Sequence, residues 1–210
     1  MYTKNTHQNN KWMKIILVDS LILCVVLILI GILHYVAAPK VEIDGIYLNQ
    51  PQDMADFYLI DHNGKPLTKN QLKGHWTLLF FGFTHCESVC PMTFDVLNKM
   101  YILLQTKLAA NLLPRIVFIS IDPEKDTVMR LRQYVSAYNT HFLGARATLK
   151  KTLAIEKQFS IPVSNQNGVI NHSTDILLLN PAVQIQAYFL YPHRPTNLAR
   201  DYQLILQQVR

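Results

Sequence analysis

Between Thr77 and Leu108 the chain runs strand, break, two thiols and helix, and the rest of the chain is organised around that succession. Thr77 to Phe81 is an apolar run of strand length and reads as a buried strand. Gly82 breaks it. Cys86 and Cys90 follow, four positions apart, and Pro91 suits the first turn of a helix, where its missing N–H would have had no intrahelical partner. Phe94, Leu97, Tyr101, Leu104 and Leu108 then recur at steps of three and four, the stripe of an amphipathic helix. Two thiols therefore stand where a strand ends and a helix begins. The positive end of a helix favours an anion, and thiolate is the form that binds metal or attacks a disulfide. Metal binding, electron exchange and a structural staple all remain open uses for the pair.

The surrounding pattern is α/β. Asp56 to Ile60 reads as a short strand, followed by an Asn63-Gly64 hairpin turn. Arg115 to Ile121 is a second buried strand, and the Asp122–Asp126 turn leads to a helix capped by Asp126 or Thr127 that runs to about Tyr138. Strand, helix, strand, helix predicts a parallel βαβ core. Leu149 to Phe159 reads as a further helix and Asn165–Gly168 as a turn. Ile176–Leu179 and Gln184–Leu190 read as antiparallel strands about Asn180-Pro181, and Pro195 opens a last helix. A mixed sheet flanked by helices, with a cysteine pair after a βαβ strand, is thioredoxin-like. The Cys-x-x-x-Cys spacing, one residue longer than Cys-x-x-Cys, lets both sulfurs turn towards a third ligand.

Ahead of this domain, residues 1–14 are polar and basic, and Ile15 to Val36 is almost wholly apolar. Twenty-two helical residues reach about 33 Å, enough for a bilayer core. Lys4, Lys11 and Lys14 precede the apolar stretch, while Glu42 and Asp44 follow it. The positive-inside rule then predicts a cytoplasmic tail over 1–14, a transmembrane anchor over 15–38, a linker over 39–55 and an outer domain over 56–210. A cleaved signal peptide would have a shorter apolar core. The tail is too short and too weakly amphipathic for a mitochondrial presequence, so the expected location is a bacterial inner membrane, single-pass, with the domain in the periplasm. Of the three cysteines, Cys24 lies in the apolar stretch, which leaves Cys86 and Cys90 to the outer, oxidising side. The formal charge of +6 falls to +4 without residues 1–38, and no Lys/Arg cluster interleaved with aromatics suggests nucleic acid.

Any third ligand must come from elsewhere in the chain, where histidines stand at 7, 34, 62, 75, 85, 141, 172 and 193. His7 and His34 belong to the tail and the apolar span. His62 falls in the hairpin turn and His193 between prolines, both expected to be solvated. His85 adjoins Cys86, and adjacent residues rarely aim both side chains at one metal. His172 precedes the strand at Ile176, which could pack beside the cysteine loop, although a lone histidine at a strand start is more often a polar rim residue. Met92 and Met100, at helix spacing, read as filler rather than thioether ligands. Asp122 and Asp126 read as loop and cap residues.

Three motifs, Gly82-Phe83-Thr84-His85-Cys86-Glu87-Ser88-Val89-Cys90-Pro91, Phe118-Ile119-Ser120-Ile121-Asp122-Pro123-Glu124-Lys125-Asp126-Thr127 and Asn171-His172-Ser173, resemble the Sco/SenC family. Asp56–Gly64 and Leu72–Gly74 extend the likeness to roughly Asp56–Phe189. The resemblance implies a membrane-anchored, thioredoxin-like copper chaperone for cytochrome c oxidase assembly. It implies Cys86, Cys90 and His172 as the metal ligands, with one copper ion per domain. Two thiolates and an imidazole suit Cu(I) and tolerate Cu(II), whereas structural zinc wants four ligands. The implied partners are the copper-bearing oxidase subunit and a copper donor or thiol reductant. Thiol–disulfide reduction, with Cys86 attacking and Cys90 resolving, is the alternative activity. The family's usual Pro-Asp between the cysteines is Glu87-Ser88 here, which bears on affinity, potential and target choice.

Overall fold

The computed structural model describes residues 6–36, 42–158, 164–166, 169–171 and 174–208. The chain divides into two compact units after Lys40. In the first, helix α1 (Thr6–Val36) contains Met13–Gly31, 19 residues of mean hydropathy 2.8. By length and composition this stretch is able to cross a bilayer.

The second unit is built on one eight-stranded mixed sheet in the order β1-β10-β9-β4-β5-β6-β2-β3. In chain order its elements are β1 (Ile46–Asp53), β2 (Leu59–Asp61), β3 (Pro66–Leu67), α2 (Lys69–Leu72), β4 (Thr77–Gly82), α3 (Val89–Gln105), β5 (Arg115–Ser120), α4 (Val128–Tyr138), β6 (Leu143–Arg146), α5 (Leu149–Gln158), β7 (Ser164–Gln166), β8 (Val169–Asn171), β9 (Ile176–Leu179), β10 (Gln184–Phe189) and α6 (Pro195–Gln208). Strands β4, β5 and β6 are parallel, as the alternation of strands and helices predicts, and β9 runs antiparallel to β4. Strands β7 and β8 pair with each other, antiparallel and apart from this sheet.

Strand β4 is buried at every position because both faces of the sheet are covered. Leu78 and Phe80 face one core with Phe94, Phe118 and Tyr202. Leu79 and Phe81 face the other with Val117 and Ile155. The Phe80 ring lies 4.7 Å from Phe94 and 5.0 Å from Phe118. Each such ring contributes roughly 2–3 kcal/mol by burial, and each ring pair about 1 kcal/mol more. This cluster fixes the start of α3 against the end of β4, the junction that carries the cysteines.

Two expectations need correcting. Residues 39–55 are not a linker throughout, because β1 pairs with β10 along the sheet edge. Its sequence, Ile-Tyr-Leu-Asn-Gln-Pro-Gln-Asp, lacks an apolar face because most of the strand is solvated. Gln186 Nε2 donates to the Leu48 carbonyl at 2.8 Å and helps hold the edge. His62 is not solvated. It is 7% exposed, and its Nδ1 accepts the Gly144 N–H at 3.2 Å. The Asn63-Gly64 turn itself forms as expected, with Gly64 at φ +78° and Asp61 Oδ1 accepting the Asn63 and Lys65 N–H groups.

Candidate metal centre

The in-register pairing of β4 with β5 ends at Gly82 opposite Ser120. The cysteine loop leaves one of these strand ends and the Asp122–Asp126 loop leaves the other. The two loops are tied together by Asp126, whose side chain is fully buried. Its carboxyl group accepts the Thr84 N–H at 3.1 Å, the Thr84 hydroxyl at 2.6 Å and the Ser120 hydroxyl at 2.7 Å. Arg130, from the first turn of α4, donates its Nε–H to the Thr84 hydroxyl oxygen at 2.6 Å. Thr127, not Asp126, caps α4, accepting the Arg130 N–H. Asp126 instead joins the two loops, a role that sequence reading missed because a buried aspartate and a capping one look alike before a helix.

Cys86 is half-buried and Cys90 is 2% exposed, and both are free thiols. Ser88, the residue preceding α3, makes no side-chain cap. The Cys86 sulfur takes up that role, accepting the Cys90 N–H at 3.4 Å. Burial pushes the Cys86 thiol up, but the N–H groups of Cys90, Ser88 and Val89 and the Cys90 side chain outweigh it and bring it below the usual thiol value. Burial pushes the Cys90 thiol up to about 12, with Cys86 and Asp126 adding to the rise and a backbone hydrogen bond at Phe83 opposing it. The pair is thus unequal, a half-buried sulfur whose thiol is eased towards ionisation and a buried one held against it. Gly82 makes room for the inner sulfur, since a Cβ there would lie 2.5 Å from Cys90 Sγ and 3.0 Å from the Phe118 ring.

His85 turns to the acidic loop. Its Nε2 lies 3.5 Å from Asp122 Oδ2, its Nδ1 4.0 Å from Asp126 Oδ1, and its ring 4.4 Å from that of Phe83. His193 is half-buried rather than solvated, and its Nε2 lies 2.8 Å from the Thr174 carbonyl, so that nitrogen carries the proton. Met100 is fully buried in the core and Met92 is 48% exposed. His172 lies outside the described residues. Among the described residues no third His, Cys, Asp or Glu joins the two sulfurs in a metal-holding group. Because β9 is antiparallel to β4, the end of β9 preceded by Thr174 and Asp175 lies at the same end of the sheet as Gly82.

The family model described as SCO1/SenC matches residues 47–207. A mitochondrial SCO2 homologue from Mus musculus is 34% identical over 134 residues, covering 60% of this chain and 51% of its own. The chain thus spans about half the length of this relative. A solved structure of Arabidopsis thaliana ScoI with copper bound superposes with a TM-score of 0.69 at 26% identity, covering 73% of this chain and 98% of that one. A structure of BsSco, described as having a disulfide switch and as a member of the Sco family of cytochrome c oxidase assembly proteins, gives a TM-score of 0.62 at 21% identity, covering 75% and 95%.

Proposed function

Since the chain belongs to the SCO1/SenC family, we propose that its domain binds one copper ion through Cys86, Cys90 and His172 and passes it to the copper-bearing subunit of cytochrome c oxidase. The observation that carries this reading is the cysteine pair itself. Two thiols, one exposed enough to exchange ligands, sit on a loop braced from beneath by Asp126. Soft thiolates with one imidazole suit Cu(I), and a partly open site suits handover. Copper displaces the proton from the inner thiol, so loading releases protons and strengthens as pH rises. Residues 15–38 anchor the domain to a bacterial inner membrane, with residues 1–14 cytoplasmic and the domain in the periplasm, near a membrane-bound acceptor. The copper-bound Arabidopsis relative and the oxidase-assembly role of the BsSco family support the cargo and the destination.

The inequality of the thiols favours a second activity of the same pair. The Cys86 thiolate attacks one sulfur of a substrate disulfide, forming a mixed disulfide and releasing the other sulfur as a thiolate. Cys90, losing its proton, then attacks the Cys86 sulfur. This frees the second substrate thiol and leaves a Cys86–Cys90 disulfide, a two-electron transfer reversed by a protein dithiol reductant. Applied to the oxidase subunit, this would keep its copper-site cysteines reduced.

Copper stoichiometry of the full chain in detergent micelles, fully reduced and anaerobic, tests the first reading on wild type and His172→Ala. The expected result is one Cu(I) per chain in the wild type and markedly weaker binding in the variant. Equal binding by both would remove His172 from the site. A reduced wild type that takes up no copper but reduces a disulfide would leave only the exchange activity.

A further inference from the structure

Away from the cysteines, two adjoining clefts open where β2 and the loop before it meet α5. One, of about 270 Å³, is lined by Tyr58, Ile60, Val128, Arg146, Thr148 and Lys151 among others. The second, of about 300 Å³, shares Tyr58 and Lys151 and continues past Phe57, Ala154 and Ile155. Together they have the character of a small-molecule site, apolar walls with a few polar groups at one end.

The polar end is cationic. Lys151 Nζ lies 4.6 Å above the centre of the exposed Tyr58 ring. Arg146 donates one terminal N–H to the Pro123 carbonyl, but its Nε–H is buried and has no hydrogen-bond partner among the described residues. Neither cation has a carboxylate within ion-pair distance among the described residues. Asp56, which also lines the second cleft, pairs with Lys69, 3.7 Å away. Helix α5 also begins at this place with no acidic residue in its first turn, which adds the positive end of its dipole.

We propose that this cleft binds a small organic carboxylate with a flat, apolar body. The carboxylate would sit between Arg146 and Lys151, where a guanidinium matches its two oxygens. The body would lie along Tyr58 towards Phe57 and Ile155. A bare inorganic anion would use the cations but leave these walls wet. The site stands apart from copper binding and does not depend on the reading of Cys86, Cys90 and His172.

Fluorine NMR of para-fluorobenzoate with the full chain in detergent micelles tests it, with para-fluorobenzamide as the uncharged counterpart. The expected result is saturable binding of the benzoate, at least about tenfold weaker for the benzamide and for Lys151→Gln. Arg146→Gln should weaken it similarly. Because Arg146 also holds the Pro123 carbonyl, exposed Lys151 supplies the variant that leaves the fold alone. Equal binding of benzoate and benzamide would overturn the carboxylate assignment. Displacement by inorganic phosphate as effective as by benzoate would overturn the apolar body. No saturable binding at millimolar benzoate, or undiminished binding by Lys151→Gln, would overturn the site.

Discussion

Cys86 and Cys90 are four residues apart and live in different surroundings. Cys86 is half-buried, its sulfur accepting the Cys90 N–H in the first turn of α3. Cys90 occupies the space that Gly82 leaves and is almost wholly enclosed. The two positions are therefore not equivalent thiols. The loop presents one reactive sulfur and one protected sulfur, and the difference arises from the backbone, helix N–H groups on one side and a missing Cβ on the other.

Alkylation should reveal the largest difference. In a reduced Cys24→Ser background, iodoacetamide should modify Cys86 with a pH midpoint below that of an ordinary thiol, near 8.5. Cys90 should react at least about a hundredfold more slowly, because it must wait for local opening. Mass spectrometry of timed samples reads both rates, and comparable rates would break the contrast. Next in size, Asp126→Ala leaves the Thr84 N–H and the Thr84 and Ser120 hydroxyls without their acceptor. It should lower unfolding stability by about 3 kcal/mol in urea titration and make Cys90 more reactive. Gly82→Ala forces a methyl group against the Cys90 sulfur and should lower stability by about 2 kcal/mol, with Cys86 alkylation changed less than Cys90 alkylation.

The smallest effect concerns pH and lies away from the thiols. Burial, only partly opposed by Asp61 and reinforced by Arg132, holds His62 below the ordinary histidine value. Above about pH 6.5 the imidazole is neutral in both folded and unfolded chains and has no differential effect. Below that value the unfolded chain takes up the proton first, so stability falls as pH falls. His193, also lowered by burial, acts in the same direction. Urea midpoints at pH 7.5 and 5.5 should therefore differ, and less so in His62→Gln.

Much of this arrangement is legible in the sequence. The apolar runs of β4 and β5 declare themselves because strands covered on both faces need no polar alternation. The cysteine spacing and the stripe from Phe94 to Leu104 locate the loop and α3. Strand β1 is not legible, because a solvated edge strand containing Asn49, Gln50, Pro51 and Gln52 carries the composition of a linker. Nor is the brace beneath the thiols, since Thr84 meets Asp126 and Arg130 across 42 and 46 positions and no local pattern announces such pairings. His62 illustrates the same limit, as its burial depends on β6 packing beside the hairpin 82 positions away.

X-ray absorption at the copper edge, on the Cu(I)-loaded full chain, tests the central claim most directly. The expected copper environment is two sulfurs and one nitrogen, reduced to two sulfurs in His172→Ala and to one sulfur and one nitrogen in Cys86→Ser. A shell without sulfur, or a nitrogen that persists undiminished in His172→Ala, would contradict it.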